Sequence, residues 1–233
     1  MKHHSSAHHF YPSLKVCGLT KRDQIQELIA MNADFLGFIF YEKSPRYVLN
    51  HLTLEEISLI DYPGKVGVFV NEEVDKIVEI TQKAGLNFIQ LHGDESDDFM
   101  IELKKKSHPE TGIIKVIRIG DNTAENKNKI KQIINILTPE LPVAYYLFDT
   151  DSKAFGGTGK QFDWSILNEL NIPLPYFLSG GISEENIGHI ETLNHKPFAL
   201  DINSKFETSP GNKDIERIKK FSQTIQKSPN GTI

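Results

Sequence analysis

The sequence predicts one domain of the α/β class, a single-domain (β/α)8 barrel. Three observations predict it: short apolar runs alternate with amphipathic stretches, the alternation occurs eight times, and no Pro-, Gly- or Ser-rich linker divides the chain. A doubly wound open sheet would also alternate, but eight units in about 215 residues suit a closed barrel of typical size about 250.

The strand candidates are Leu14–Cys17, Phe35–Phe40, Lys65–Val70, Phe88–Leu91, Ile113–Ile119, Ala144–Phe148, Tyr176–Leu178 and Phe198–Asp201. Each is too short for a typical helix, and most are rich in branched or aromatic residues, as buried strands are. Helices are expected between them. Residues 20–31 carry Ile25, Leu28 and Ile29 on one face, 72–84 carry Val74, Ile77, Val78 and Ile80, 121–137 carry Ile130, Ile133, Ile134 and Leu137, and 183–194 carry Ile187, Ile190 and Leu193. Segments 53–60, 96–106, 163–170 and 214–227 complete the series. Thr20, Thr53, Asn71, Ser96, Asp163, Ser183 and Asp214 stand where N-caps are wanted. The boundaries are an N-terminal arm over 1–12, the barrel over 13–227 and a tail over 228–233.

Composition narrows the class. Of 233 residues 39% are hydrophobic and 24% charged, enough apolar material for a sizeable core and against a disordered or collagen-like chain. The formal charge of −5 gives no general attraction to nucleic acid or anionic membrane, so an anionic ligand needs a local site. One cysteine cannot form an intrachain disulfide, which fits a reducing cytoplasm. No run of 18 apolar residues exists, and the polar, His-rich start has no secretory apolar core. The cluster His3, His4, His8 and His9 reads as an adventitious metal binder or expression remnant.

In such a barrel, chemistry sits at the C-terminal ends of strands and in the following loops. Those positions hold Cys17-Gly18, the loop Tyr41–Tyr47 with Arg46, Gln90-Leu91-His92-Gly93, Asp149-Thr150, Ser179-Gly180-Gly181 and Asp201-Ile202-Asn203-Ser204. Gly180 and Gly181 bring bare backbone to the expected start of a helix, and Ser204 follows the neighbouring strand, a pattern suited to phosphate. A tight turn is the plainer alternative for the glycines. Gly156–Gln161 resembles a nucleotide P-loop but has Ala154 in place of the first glycine and Gln161 in place of Ser or Thr, so ATP binding is rejected. The connection Thr150–Phe162 is expected to be a mobile active-site loop whose amides reach the phosphate.

Each candidate has a plainer reading. A lone cysteine such as Cys17 is most often a small buried hydrophobe. Asp149 could cap or tether a loop, and Arg46 could be a surface ion-pair partner. His92 with Asp94 and Glu95 invites a metal, but no second well-spaced His exists, and Asp94 or Ser96 suits a helix cap better.

Together these residues carry a resemblance to the phosphoribosylanthranilate isomerase family of tryptophan biosynthesis, from Lys15 to about Phe221. It rests on Lys15-Val16-Cys17-Gly18-Leu19-Thr20, Ala33–Phe40, Lys43-Ser44-Pro45-Arg46-Tyr47-Val48, Val66–Asn71 and Ile89–Glu95. It continues through Phe148-Asp149-Thr150, Gly156–Trp164, Ser179-Gly180-Gly181-Ile182 and Pro210–Asp214. Ser-Gly-Gly alone is common among phosphate-binding barrels, whereas the ordered set is specific.

The resemblance implies an Amadori rearrangement of N-(5-phosphoribosyl)anthranilate to the carboxyphenylamino-deoxyribulose phosphate, without metal or organic cofactor. It implies Cys17 as general base, Asp149 as general acid and Arg46 on the anthranilate carboxylate. His92 and Asp201 fall at the substrate, and Gly157, Gly180, Gly181 and Ser204 in the phosphate region. Acid chemistry needs Asp149 to hold a proton, which partial desolvation favours, and base chemistry needs electropositive surroundings for Cys17. The expected partner is this small molecule, not nucleic acid or membrane, and the protein is expected to be a cytoplasmic monomer or homodimer. One departure lies after Asp201: the family often has Ser-Ser-Gly-Val-Glu where this chain has Asn203-Ser204-Lys205-Phe206-Glu207, with Lys205 a candidate extra charge near the phosphate.

Two other readings compete with this resemblance. The sugar-phosphate isomerase of histidine biosynthesis runs the same rearrangement, but it has an aspartate at the position of Cys17 and a half-barrel repeat not found here. A non-catalytic phosphometabolite-binding barrel would keep Ser179-Gly180-Gly181 yet need neither Cys17 nor Asp149.

Overall fold

The computed structural model describes residues 11–120, 123, 125, 128, 130–132, 134, 141–151 and 161–227. Eight parallel strands close into a barrel in chain order, β8 pairing back onto β1. They are β1 (Ser13–Val16), β2 (Phe35–Ile39), β3 (Lys65–Phe69), β4 (Phe88–Leu91), β5 (Gly112–Ile119), β6 (Tyr145–Thr150), β7 (Tyr176–Leu178) and β8 (Ala199–Ile202). Each lies within two residues of its expected ends. A short antiparallel pair, β9 (Glu207–Ser209) and β10 (Asn212–Lys213), follows β8.

Helices α1 (Arg22–Ala30), α2 (Leu54–Ser58), α3 (Val74–Ala84), α4 (Asp97–Lys106) and α5 (Ile215–Lys227) fill the expected crossovers. In α3 the predicted face is buried through Val74, Ile77 and Ile80, and left-handed Gly85 (φ 61°) caps the C-terminus. Thr53 forms a reciprocal capping box with Glu56 at α2. Ser96, Asp163 and Asp214 also accept cap hydrogen bonds, from Phe99, Ser165 and Arg217 N–H. In the crossover 121–137, residues 125, 128, 130–132 and 134 are helical, and Ile130 and Ile134 are buried as expected. The remainder of that crossover, the arm up to residue 10, the tail from 228 and the loop 152–160 lie outside the described residues.

Several expectations are corrected. The seventh and eighth strands are flanked not by α-helices over 163–170 and 183–194 but by 3-10 segments, Trp164–Glu169 and Ile187–Thr192. Both stretches hold residues whose side chains compete for backbone partners. The Asn168 amide binds Thr192 O and Asn194 N–H, while Asn186 binds Gly181 O and Ser183 N–H, and Gly188 adds a weak helix former. Three expected caps also fail. The Thr20 hydroxyl donates to Gly211 O instead, and left-handed Asn71 (φ 49°) accepts from Asp94 N–H. Ser183 is itself held by Asn186.

Alternation along each strand sends one face to the helices and the other into the barrel. The lower interior is apolar: Phe35, Val66, Ile114, Val116, Leu147, Phe177 and Ala199 form one buried cluster. Phe177 is central, with ring centroids 5.0 Å from Phe35, 5.3 Å from Tyr145 and 5.8 Å from Phe198. The next inward positions toward the C-terminal end are polar: Lys15 and Cys17 after Ser13, Gln90 and His92 after Phe88, Asp149 after Leu147, and Asp201 after Ala199. The barrel therefore has an apolar floor beneath a charged upper layer. Phe177→Ala should remove the centre of that floor and lower unfolding free energy by about 3–5 kcal/mol, read as a lower urea midpoint.

Candidate active site

The upper layer is built around β1 and its neighbour β8. Lys15 faces Asp201 in the strand register, and its Nζ donates to Asp201 Oδ1 at 2.9 Å with the lysine fully buried. Cys17 follows two residues on, 5% exposed, its amide bonded to Ile202 O. It is buried, as a lone cysteine often is, but its neighbours are charged. The space it occupies depends on Gly37 of β2, where an added Cβ would lie 2.9 Å from Sγ.

Electrostatics tie these groups together. Burial pushes the Cys17 thiol up; the Lys15 ammonium opposes that, Asp201 reinforces it, and Lys213 opposes it again. Burial also pushes Asp201 up, Lys15 acts downward, and the charge of Asp149 pushes it further up. Lys15 itself is held protonated: burial works against its charge, but Asp201 and Cys17 together outweigh burial.

Asp149 ends β6 on the far side of the same layer. Its Oδ1 accepts from Thr150 N–H at 2.8 Å, and its Oδ2 lies 3.4 Å from His92 Nε2. His92 Nδ1 is in turn 3.1 Å from Gln90 Nε2. With the Gln90 amide donating there, a neutral His92 carries its proton on Nε2, toward Asp149. Left-handed Gly180 (φ 82°) makes room beside this carboxylate, since a Cβ would come 2.4 Å from Thr150 Oγ1 and 3.1 Å from Asp149 Oδ1.

A second charged group adjoins Cys17. Arg46, 7% exposed, forks onto Glu207: Nε is 2.9 Å from both carboxylate oxygens and Nη2 2.6 Å from Oε2. Lys213 Nζ donates to the same Glu207 at 2.6 Å and to Asn203 Oδ1 at 2.8 Å. Burial pushes Glu207 up, but hydrogen bonds from Arg46 and the Lys213 charge outweigh it and hold the carboxylate below its ordinary range. Gly18 (φ 76°) permits this approach, because a Cβ would strike Arg46 Cδ at 2.6 Å.

The structure thus gathers Cys17, Asp201, Asp149, His92 and Gly180 into one layer, with Arg46 beside it. Gly181 (φ 74°) continues the turn from Gly180, and Ser204 opens the 3-10 segment Ser204–Phe206. Gly157 lies outside the described residues. No helix starts at the glycines as the sequence suggested: the 3-10 segment begins only at Ile187, because Asn186 organises the intervening turn. The Lys205 side chain is exposed, and the loop lacking the usual glycine is anchored by buried Phe206, whose ring centroid lies 4.8 Å from that of Phe221 in a tilted contact. Glu95, considered above as a metal ligand, instead accepts from Asn71 and Gly93 N–H and pairs with Lys115, while Asp94 pairs with Arg118.

Sequence reasoning assigned no role to Lys15, Gln90, Lys213 or Gly37. The signal for Lys15 was present: a lysine between the apolar Leu14 and Val16 of a strand, two residues before the cysteine and so on its face.

A family model described as N-(5'phosphoribosyl)anthranilate (PRA) isomerase matches residues 14–224. A curated N-(5'-phosphoribosyl)anthranilate isomerase from Parabacteroides distasonis is 39% identical over 215 residues, covering 91% of this chain and 92% of that one. The phosphoribosyl anthranilate isomerase structure from Thermotoga maritima superposes with TM-score 0.71 at 32% identity, over 92% of this chain and 98% of that one. A further isomerase structure, in complex with reduced 1-(o-carboxyphenylamino)-1-deoxyribulose 5-phosphate, gives TM-score 0.70 at 28% identity with the same coverage. By motif order, barrel and these matches, the chain belongs to the N-(5'-phosphoribosyl)anthranilate isomerase family, the isomerases of tryptophan biosynthesis.

Proposed function

We propose that this chain carries out the Amadori rearrangement of N-(5'-phosphoribosyl)anthranilate by general acid–base catalysis, with Cys17 as base and Asp149 as acid. The observation that carries the assignment is the shared polar layer: a thiol just after β1 and a carboxyl group near the end of β6, each within electrostatic reach of Asp201.

Asp149 gives its proton to the furanose ring oxygen as the C1–O bond breaks and the anthranilate nitrogen forms the C1=N iminium. Cys17, as thiolate, takes the C2 proton, and the C–H electron pair forms the C1=C2 enolamine. Return of a proton to C1 with loss of the enol proton gives the 2-ketone, so the step is an isomerisation with no external oxidant or reductant. His92, whose Nε2 faces Asp149 Oδ2, orients the acid. Asp201 lies beside the reacting carbons, and Gly180, Gly181, Ser204 and Gly157 hold the phosphate at the loops after β6, β7 and β8. Arg46 takes the anthranilate carboxylate with its Nη1 edge, Nε and Nη2 being fixed by Glu207. The reaction requires no metal or organic cofactor. The protein acts in the cytoplasm as a monomer or homodimer; a related Thermotoga maritima isomerase is described as dimeric, and no helix among the described residues is long and apolar enough to cross a membrane.

A fluorescence assay following consumption of freshly made phosphoribosylanthranilate tests the reading. Cys17→Ala and Asp149→Ala should each lower kcat by at least about 100-fold, while a reduced product analogue still binds. Full turnover in both variants would refute the roles. Arg46→Ala should act mainly on KM, raising it about 10- to 100-fold through loss of a charge-assisted pair. An unchanged KM would remove Arg46 from the carboxylate site.

A further inference from the structure

Lys15 has no part in the proton transfers above, yet its charge is enclosed beside them, with a side chain 0% exposed. An ammonium carries three donors, and burial demands acceptors for them. Asp201 Oδ1 takes one at 2.9 Å, and Cys17, two residues further along β1 and so on the same inward face, lies within reach of its charge. We propose that Lys15 is a positioning residue for the base: its ammonium, shared between Asp201 and Cys17, is the counter-ion against which the Cys17 thiolate forms, and Asp201 competes with the sulfur for it. The proposal deepens the reading of Cys17 as general base and rests on it.

The charges around Cys17 support this. Its own strand presents Lys15, β8 presents Asp201, β10 presents Lys213, and β2 presents only Gly37. Lys213 and Arg46 share a single carboxylate, Glu207, and Lys15 has Asp201. Three buried cations thus face two buried carboxylates on the Cys17 side of the layer, which favours negative charge on the sulfur. Lys15 is the group best placed to stabilise it, since burial raises the thiol and the Lys15 charge is the largest influence in the opposite direction. Asp201 works against the thiolate both by its own charge and by occupying the Lys15 ammonium.

The protein has one cysteine, so ultraviolet thiolate absorbance, corrected with Cys17→Ser, titrates this sulfur without substrate. Lys15→Met should raise the midpoint by at least about one pH unit, a tenfold loss of thiolate at fixed pH below it. Lys15→Arg, which keeps the charge, should stay nearer the parent, and Asp201→Asn should lower the midpoint. A folded Lys15→Met protein with an unchanged midpoint overturns the proposal. So does an unchanged or raised midpoint in Asp201→Asn, which decides the matter if Lys15→Met does not fold. In turnover, Lys15→Met should depress kcat far more than KM, with the activity profile displaced to higher pH. Because the absorbance titration needs no substrate, a failure of the isomerase reading would appear separately, as absent turnover in a protein whose thiol titrates as described.

Discussion

Burying an ammonium inside a barrel is costly unless its partners are fixed within reach, and this constraint organises the upper half of the molecule. Lys15 stands beside Asp201 because β8 closes onto β1 in one register. Slipping that seam by one residue would turn the pair to opposite faces and leave both charges without their partner. The same closure lays Cys17 against Ile202 and brings Asp201 within electrostatic reach of both the thiol and Asp149. Barrel closure and the arrangement of the proton-transferring groups are thus one geometric fact.

The apolar floor complements this. Phe35, Phe177, Tyr145 and Phe198 pack edge to face or stacked below the charged layer, so the lower interior is filled by side chains. Low polarizability beneath the charges strengthens every interaction among Lys15, Asp201 and Cys17. Arg46, Glu207 and Lys213 extend the network over the rim, where the β9–β10 pair returns the chain toward the Arg46 loop.

Much of this was legible in the amino-acid sequence, and the parts that were not have physical reasons. Strand runs such as Phe88–Leu91 and Tyr176–Leu178 are short, rich in apolar residues and bounded by turn residues, so they read directly. The 3-10 segments after β6 and β7 did not, because Ile187, Ile190 and Leu193 keep a helical spacing while Asn186 and Gly188 undo the helix through local hydrogen bonds and weak propensity. Cys17, Asp149 and Asp201 could be singled out from their places at strand ends, and the ordered motifs gave them roles. Their electrostatic partners were harder. Lys15 was visible as an anomaly in β1, but only the β1–β8 register names its partner, and the Arg46–Glu207 pair joins residues 161 apart in the chain.

The missing side chain at position 37 carries its own lesson. The sulfur rests where it does because the adjacent strand offers no carbon to collide with it. Even a single methyl at that spot would press on the sulfur and on the backbone that carries it, displacing the thiol among its charged neighbours while adding no charge of its own. A change on the neighbouring strand, chemically silent by itself, is therefore a steric dial on the setting of the base.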